Sequence, residues 1–168
     1  MIFFLIPIFV VFFDQISKIL IKQYFIDHGL IYTSTKILGD FLRFTFIENP
    51  GIAFGIDTSK YHVYITIATI LAIIFICFQL KISINTRNPD SYPLAFILGG
   101  AIGNCIDRIL VFVPIFNYNG VIDFIDLGIN NYRWYIFNIA DLSISIGLFL
   151  FLYNFIMIKT NSSIEKNI

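Results

Sequence analysis

The chain has 168 residues, 58% of them apolar and only 13% charged, and its formal net charge at pH 7 is zero. A soluble domain carries about a quarter charged residues, so this composition points to a membrane protein. The balanced charge, with no basic patch, argues against nucleic acid as a partner.

A spanning helix needs roughly 20 mostly apolar residues, and four segments meet that requirement. The first, residues 2–25, is interrupted by Asp14, Gln15 and Lys18. It lacks the basic start and small-residue cleavage site of a secretory signal, so it reads as a retained span. The stretch Ile37–Ile56 follows, ILGDFLRFTFIENPGIAFGI. Its alternating Phe41, Arg43 and Thr45 predict one or two short strands, and Asn49-Pro50-Gly51 predicts a turn. A small sheet resting on the bilayer surface is expected here. The second span, residues 63–80, is uninterrupted. The third, residues 93–113, holds Gly99, Gly100, Gly103, Asn104, Asp107 and Arg108. Residues 114–136 read as a loop. The fourth span, residues 137–158, has Asn138 and Asp141 near its start, and Lys159–Ile168 reads as a short polar tail that frays.

The cysteines, Cys77 and Cys105, lie in apolar stretches with no metal-ligand spacing, and His28 and His62 have no spaced partner. The cysteines read as packing residues, and no metal site is expected.

Four spans put both termini and the loop after the second helix on one side of the membrane. Residues 26–62 and 114–136 then lie on the other. At a rise of about 1.5 Å per residue, Asp14 and Lys18 fall towards the far end of the first helix and Asp107 and Arg108 towards the far end of the third. Asn138 and Asp141 fall at the start of the fourth, which is the same face. Charges within lipid are costly and normally face a functional or water-filled interior, so clustering on one side predicts a site there. Lysine and arginine counts in the loops do not settle which compartment that face meets.

Asp123 and Asp141 form the pair with chemical potential. Asp123 precedes the fourth helix in GVIDFIDL, and Asp141 lies one turn into it in FNIADLSISIG. Two adjacent carboxyls cannot both ionise easily and share a proton. The neutral one can donate to a carbonyl oxygen while the charged one takes a proton from water, which hydrolyses a peptide bond without a covalent intermediate. Against this, a helix N-terminal aspartate is often only a dipole partner, and loop aspartates often cap turns. Asp126, three residues beyond Asp123, is an equal candidate on these grounds.

Other polar groups have two readings each. Gly99 and Gly103 form a GxxxG pair for close helix approach. Arg108 shares a face with Asn104 and serves either as a clamp between helices or as a substrate contact. Asp107 points elsewhere and needs its own partner. Asp14 and Lys18, four apart, either neutralise one another or leave Lys18 to snorkel. Asn49 can hydrogen-bond a substrate backbone, and Asn138 can orient a carboxyl. Ser143 and Ser145 have no histidine nearby and are expected to bond helix backbone.

Five segments in order, DQISK (Asp14–Lys18), ENPGIAFGI (Glu48–Ile56), GGAIGNCIDR (Gly99–Arg108), VIDFID (Val121–Asp126) and FNIAD (Phe137–Asp141), resemble the lipoprotein signal peptidase family. The resemblance implies an all-α membrane protein, a single domain of four transmembrane helices with a small extracytoplasmic β-sheet and loop cap. It implies that Asp123 and Asp141 are the catalytic dyad, rather than Asp126. Asp14, Lys18, Asn49, Gly103, Asn104, Arg108, Asn138 and Ala140 fall at active-site positions of the family's motifs. It further implies an aspartic endopeptidase that uses no metal or organic cofactor and removes the signal peptide from a prolipoprotein, just before a diacylglyceryl-modified cysteine. The enzyme would act as a monomer among membrane lipids in the bacterial inner membrane, its site open to the periplasmic or outer face. Two departures stand out. Pro50 replaces a common Thr or Arg, and Leu110–Gly120, LVFVPIFNYNG, is longer than the usual link.

Two other classes compete. A proton-coupled transporter should place polar groups at the midplane or along the whole crossing, whereas here they crowd one side. A non-catalytic assembly factor would use the GxxxG pair but gives no reason for a late aspartate pair.

Overall fold

A computed structural model describes residues 2–31, 33–50 and 59–165. Its elements run α1 (Ile2–Asp27), β1 (Ser34–Leu38), β2 (Leu42–Asn49), α2 (His62–Asn85), α3 (Ser91–Leu110), β3 (Val121–Ile129), β4 (Tyr132–Arg133) and α4 (Ile139–Glu165). All four helices are long and apolar enough to cross a membrane. At 26 residues α1 is roughly 39 Å long, more than the roughly 30 Å of bilayer hydrocarbon.

α3 is the hub and packs against α1, α2 and α4. Its glycines explain how. A β-carbon on Gly99 would crowd Val10 of α1, and one on Gly100 would overlap the backbone carbonyl of Ala140 at the start of α4. The expected GxxxG contact is therefore a three-helix contact, with Gly103 seated between Asp14 and Ala140. α2 touches mainly α3, through Leu80, Ala95 and Leu98, so most of its circumference faces outward. That is why Cys77 is exposed rather than packed, while Cys105 is buried as expected.

The four strands form one antiparallel sheet in the order β1-β2-β3-β4. β1 and β2 match the expected strands. β3 and β4 replace what read as an irregular loop, so Asp123 stands on a strand. VIDFIDLGI alternates apolar and polar residues only loosely, because both faces of β3 are covered: Ile122 and Phe124 are as buried as Asp123 and Asp126. Ile122, Phe124 and Phe46 pack on Ile21 and Phe25 of α1. The sheet is thereby anchored at the same end of the bundle as the buried charges. The remainder of ENPGIAFGI after Pro50, and with it the close of the predicted Asn49-Pro50-Gly51 turn, lies outside the described residues.

Helix ends differ from expectation for local reasons. α3 begins at Ser91, because Pro93 is tolerated in a first turn, and stops at Leu110, before Pro114. α4 starts at Ile139, so Asn138 stands just before the helix rather than in it. The Asn138 side-chain oxygen accepts from the Asp141 backbone N–H at 2.9 Å, and the Asp141 carboxylate accepts from the Asn138 backbone N–H at 3.2 Å. This is a capping box, which satisfies two otherwise orphaned donors.

Candidate active site

The capping box puts Asp141 at the mouth of α4, and β3 brings Asp123 to the same point. Asn138 joins them: its side-chain amide donates to Asp123 Oδ1 at 2.6 Å, while its backbone N–H serves Asp141. The same amide also donates to the Ile122 carbonyl at 3.3 Å and to Asn104 Oδ1 at 3.2 Å. Asn49, at the end of β2, donates to the other oxygen of Asp123 at 3.0 Å. Asn104, on α3, donates to Asp141 Oδ1 at 2.7 Å. The pair thus receives amide donors from β2, α3 and the cap of α4, and among the described residues neither carboxylate forms an ion pair.

The electrostatics follow. Asp123 is buried, and its carboxyl is pushed up to about 7 by that burial and by the nearby charge of Asp141; the Asn49 and Asn138 hydrogen bonds oppose the rise. Near neutral pH a proton therefore resides readily on the pair.

Beneath the pair lies a charge cluster with no exposure. Lys18 Nζ contacts Asp14 Oδ2 at 2.8 Å and Asp107 Oδ2 at 2.9 Å, and donates to Asn104 Oδ1 at 3.0 Å. Asp14 and Lys18 do neutralise one another, and Lys18 does not snorkel. The partner that Asp107 required is this lysine, together with the Gln15 amide at 3.0 Å and the Ile122 backbone N–H at 3.1 Å. Asp14 Oδ1 accepts from the Ala140 backbone N–H at 2.9 Å, which satisfies another orphan donor of α4. Gly103 leaves room for that carboxylate.

Arg108 lies half-buried, donating to the Asn104 carbonyl at 3.2 Å. Among the described residues it has no ion-pair partner, although both Asp123 and Asp141 lie within electrostatic range. Asp126 points away from the pair, since three residues along a strand reverse the face. It is held by Arg133 Nε at 2.6 Å and Thr45 at 3.0 Å. Ser143 and Ser145 bond the carbonyls of Phe96 and Asp141.

Sequence reasoning put Asp107 at this face without naming its partner, and gave Gln15 and Glu48 no role. The signal for Asp107 was its requirement for a partner; what was missing was the β3 backbone N–H that it accepts.

The chain is similar to known proteins over most of its length. The family profile described as Signal peptidase (SPase) II matches residues 6–157. A lipoprotein signal peptidase of Janthinobacterium sp. (strain Marseille) is 40% identical over 144 residues, covering 84% of this chain and 79% of that one. One from Pelagibacter ubique (strain HTCC1062) is 38% identical over 168 residues, covering 97% and 93%. A bacterial membrane enzyme structure obtained by the in meso method at 2.3 Å resolution superposes with a TM-score of 0.69 at 34% identity, covering 94% of this chain and 88% of that one. With its four spans, its sheet and this degree of kinship, the chain belongs to the signal peptidase II family.

Proposed function

We propose that this protein is an aspartic endopeptidase that removes signal peptides from diacylglyceryl-modified prolipoproteins, cutting just before the lipidated cysteine, with Asp123 and Asp141 as the catalytic dyad. The observation that carries the proposal is the bridging of the two carboxyls by Asn138, which brings them to one point at the end of the bundle. Family kinship supplies the substrate class.

The chemistry follows from the pair holding one proton. A water lying between the carboxyls gives a proton to the charged one as its oxygen attacks the scissile carbonyl, and the neutral carboxyl donates to the carbonyl oxygen. The tetrahedral diol then collapses: the charged carboxylate takes a proton from one diol hydroxyl as that C=O reforms, the C–N bond breaks, and the neutral carboxyl gives its proton to the leaving amine, so the dyad again holds one proton. The two carboxyls share the proton, so neither is assigned a fixed acid or base role. Asn49 and Asn138 orient Asp123, and Asn104 orients Asp141. Arg108, free of an ion pair among the described residues, is suited to the substrate backbone or to an oxygen of the lipid linkage. Asp14, Lys18, Gly103 and Ala140 hold α1, α3 and α4 together beneath the dyad.

Depth supports this substrate. The dyad lies where α4 begins and the sheet sits, at the boundary of the apolar spans. A lipidated cysteine holds its peptide bond at that level because its acyl chains partition into the bilayer. The membrane would be the bacterial inner membrane, with the site towards its periplasmic or outer face. One chain supplies every group of the site, so a monomer suffices.

The test is to replace Asp123 or Asp141 by Asn in detergent-purified protein that remains folded. Cleavage of a diacylated prolipoprotein should fall by at least about a thousandfold with either change. Retained cleavage in either variant would overturn the dyad.

A further inference from the structure

β2 carries Asn49 and Glu48 on opposite faces. Asn49 faces Asp123, while Glu48 faces α1, where Lys22 Nζ meets its Oε1 at 2.8 Å. The other carboxylate oxygen of Glu48 accepts from the Asn119 side-chain amide at 2.7 Å. Lys22 also donates to the Asn117 carbonyl and lies 3.9 Å from the centre of the Tyr118 ring. One carboxylate and one ammonium thus tie α1, the end of β2 and the long link Leu110–Gly120 into a single knot. Next in the link, Gly120 fits so closely against the Asn49 carbonyl that any side chain there would overlap it.

Tyr118 packs on the core cluster, but the rest of the link is less well packed. Between it and α1 lies a cavity of about 470 Å³, lined by Ile19, Lys22, Leu110, Phe116 and Tyr118 among others. Ile115 and Phe116 of the link are exposed. The polar knot joins the packing of Tyr118 on the Phe25, Phe46 and Ile122 cluster in attaching the link beside the dyad.

We infer that Glu48 is a positioning residue: clamped by Lys22 and Asn119, it fixes the end of β2 so that Asn49 presents its amide to Asp123. This rests on the proposed role of Asp123. Glu48 touches neither the reacting atoms nor Asp123. It acts through Asn49, and the longer link of this chain supplies half of its clamp.

The experiment compares Glu48→Ala, Asn119→Ala and Asn49→Ala with the double variant Glu48→Ala/Asn49→Ala, in purified protein whose folding is checked by thermal unfolding. The readout is the pH profile of kcat/KM, with kcat and KM separated, for a diacylated prolipoprotein. Loosening Asn49 should lower kcat about tenfold to a hundredfold with little change in KM, since misplacement by about an ångström carries a cost of that order. The Asn49 hydrogen bond favours the ionised form of Asp123, so its loss should move the upper limb of the profile to higher pH. The other charges around Asp123, from Asp141 on α4, Arg108 on α3 and Lys18 on α1, are untouched by these variants. Glu48→Ala should reproduce both effects of Asn49→Ala, and the double variant should be no worse than either single one. Asn119 is exposed, so Asn119→Ala should fold normally and show the same effects more weakly.

Losses that add in the double variant, or an unmoved upper limb in Glu48→Ala and Asn119→Ala, would overturn the clamp. If Asp123→Asn still cleaves, it is the dyad that fails; if Asp123→Asn is dead while only Asn49→Ala shifts the profile, the clamp alone fails.

Discussion

Lys18 fixes which way round the Asn104 side chain sits. An ammonium can only donate, so the Asn104 oxygen must face Lys18, at 3.0 Å, and its nitrogen is then directed to Asp141, at 2.7 Å. Replacing Lys18 by Met removes the donor and leaves Asp14 and Asp107 buried without a cation. We expect a loss of roughly 3–5 kcal/mol in stability, the usual consequence of breaking a buried ion pair. Thermal unfolding in detergent, together with the yield of folded protein, measures it. Asp14→Asn/Lys18→Met should recover part of the loss.

Asp126 offers the contrasting case. It is as buried as Asp123 but is bound to Arg133 and Thr45. Asp126→Asn should retain cleavage within about threefold and lower stability by about 1–2 kcal/mol. Assay and melting curve should therefore part company, in the opposite sense to Asp123→Asn.

The raised carboxyl of Asp123 gives the pH dependence a sign. The proposed mechanism needs one proton on the dyad, so kcat/KM should decline as pH rises through about 7. Stability follows the same group. Its folded value lies above the ordinary 3.8, so its contribution is complete below about 4 and is lost as pH rises through about 7. Asp123→Asn lacks that dependence. The wild-type melting temperature minus that of the variant should therefore fall by ~5 °C between pH 4 and pH 8.

Gly100 lies against the Ala140 carbonyl at the start of α4. Gly100→Ala must push that helix away from α3, and Asp141 is the next residue. Overpacking of this kind costs about 1–3 kcal/mol. We expect cleavage to fall more than stability does, because Asp141 shifts directly. Gly29→Ala, where no atom lies near an added β-carbon, should leave cleavage intact and cost only the strain of its positive φ.

Much of this was legible in the amino-acid sequence. Span length and apolarity mark all four helices, and depth along them places Asp14, Lys18, Asp107 and Asp141 towards one end. The alternation around Phe41–Thr45 marks β2. β3 was missed because burial on both faces blurs the period of two that distinguishes Asp123 from Asp126. Had that segment been read as a strand, the two aspartates would have separated by face. Asn138 was placed inside α4 because the apolar span was read from Phe137. The spacing Asn-x-x-Asp before an apolar run equally describes a cap. The Lys22–Glu48 pair joins residues far apart in sequence, and no local pattern announces it.

The Asp14 carboxylate, in the first span, completes the hydrogen bonding at the head of the last one through Ala140. Two elements separated by nearly the whole chain are thus needed to shape the mouth that holds the proposed dyad. A nascent chain with three helices inserted has Asp123 but neither Asp141 nor the turn that aims it, so on the proposed dyad hydrolytic competence arrives only when biosynthesis delivers the final crossing. The bilayer is spared a half-assembled protease, and this follows from the order of residues alone.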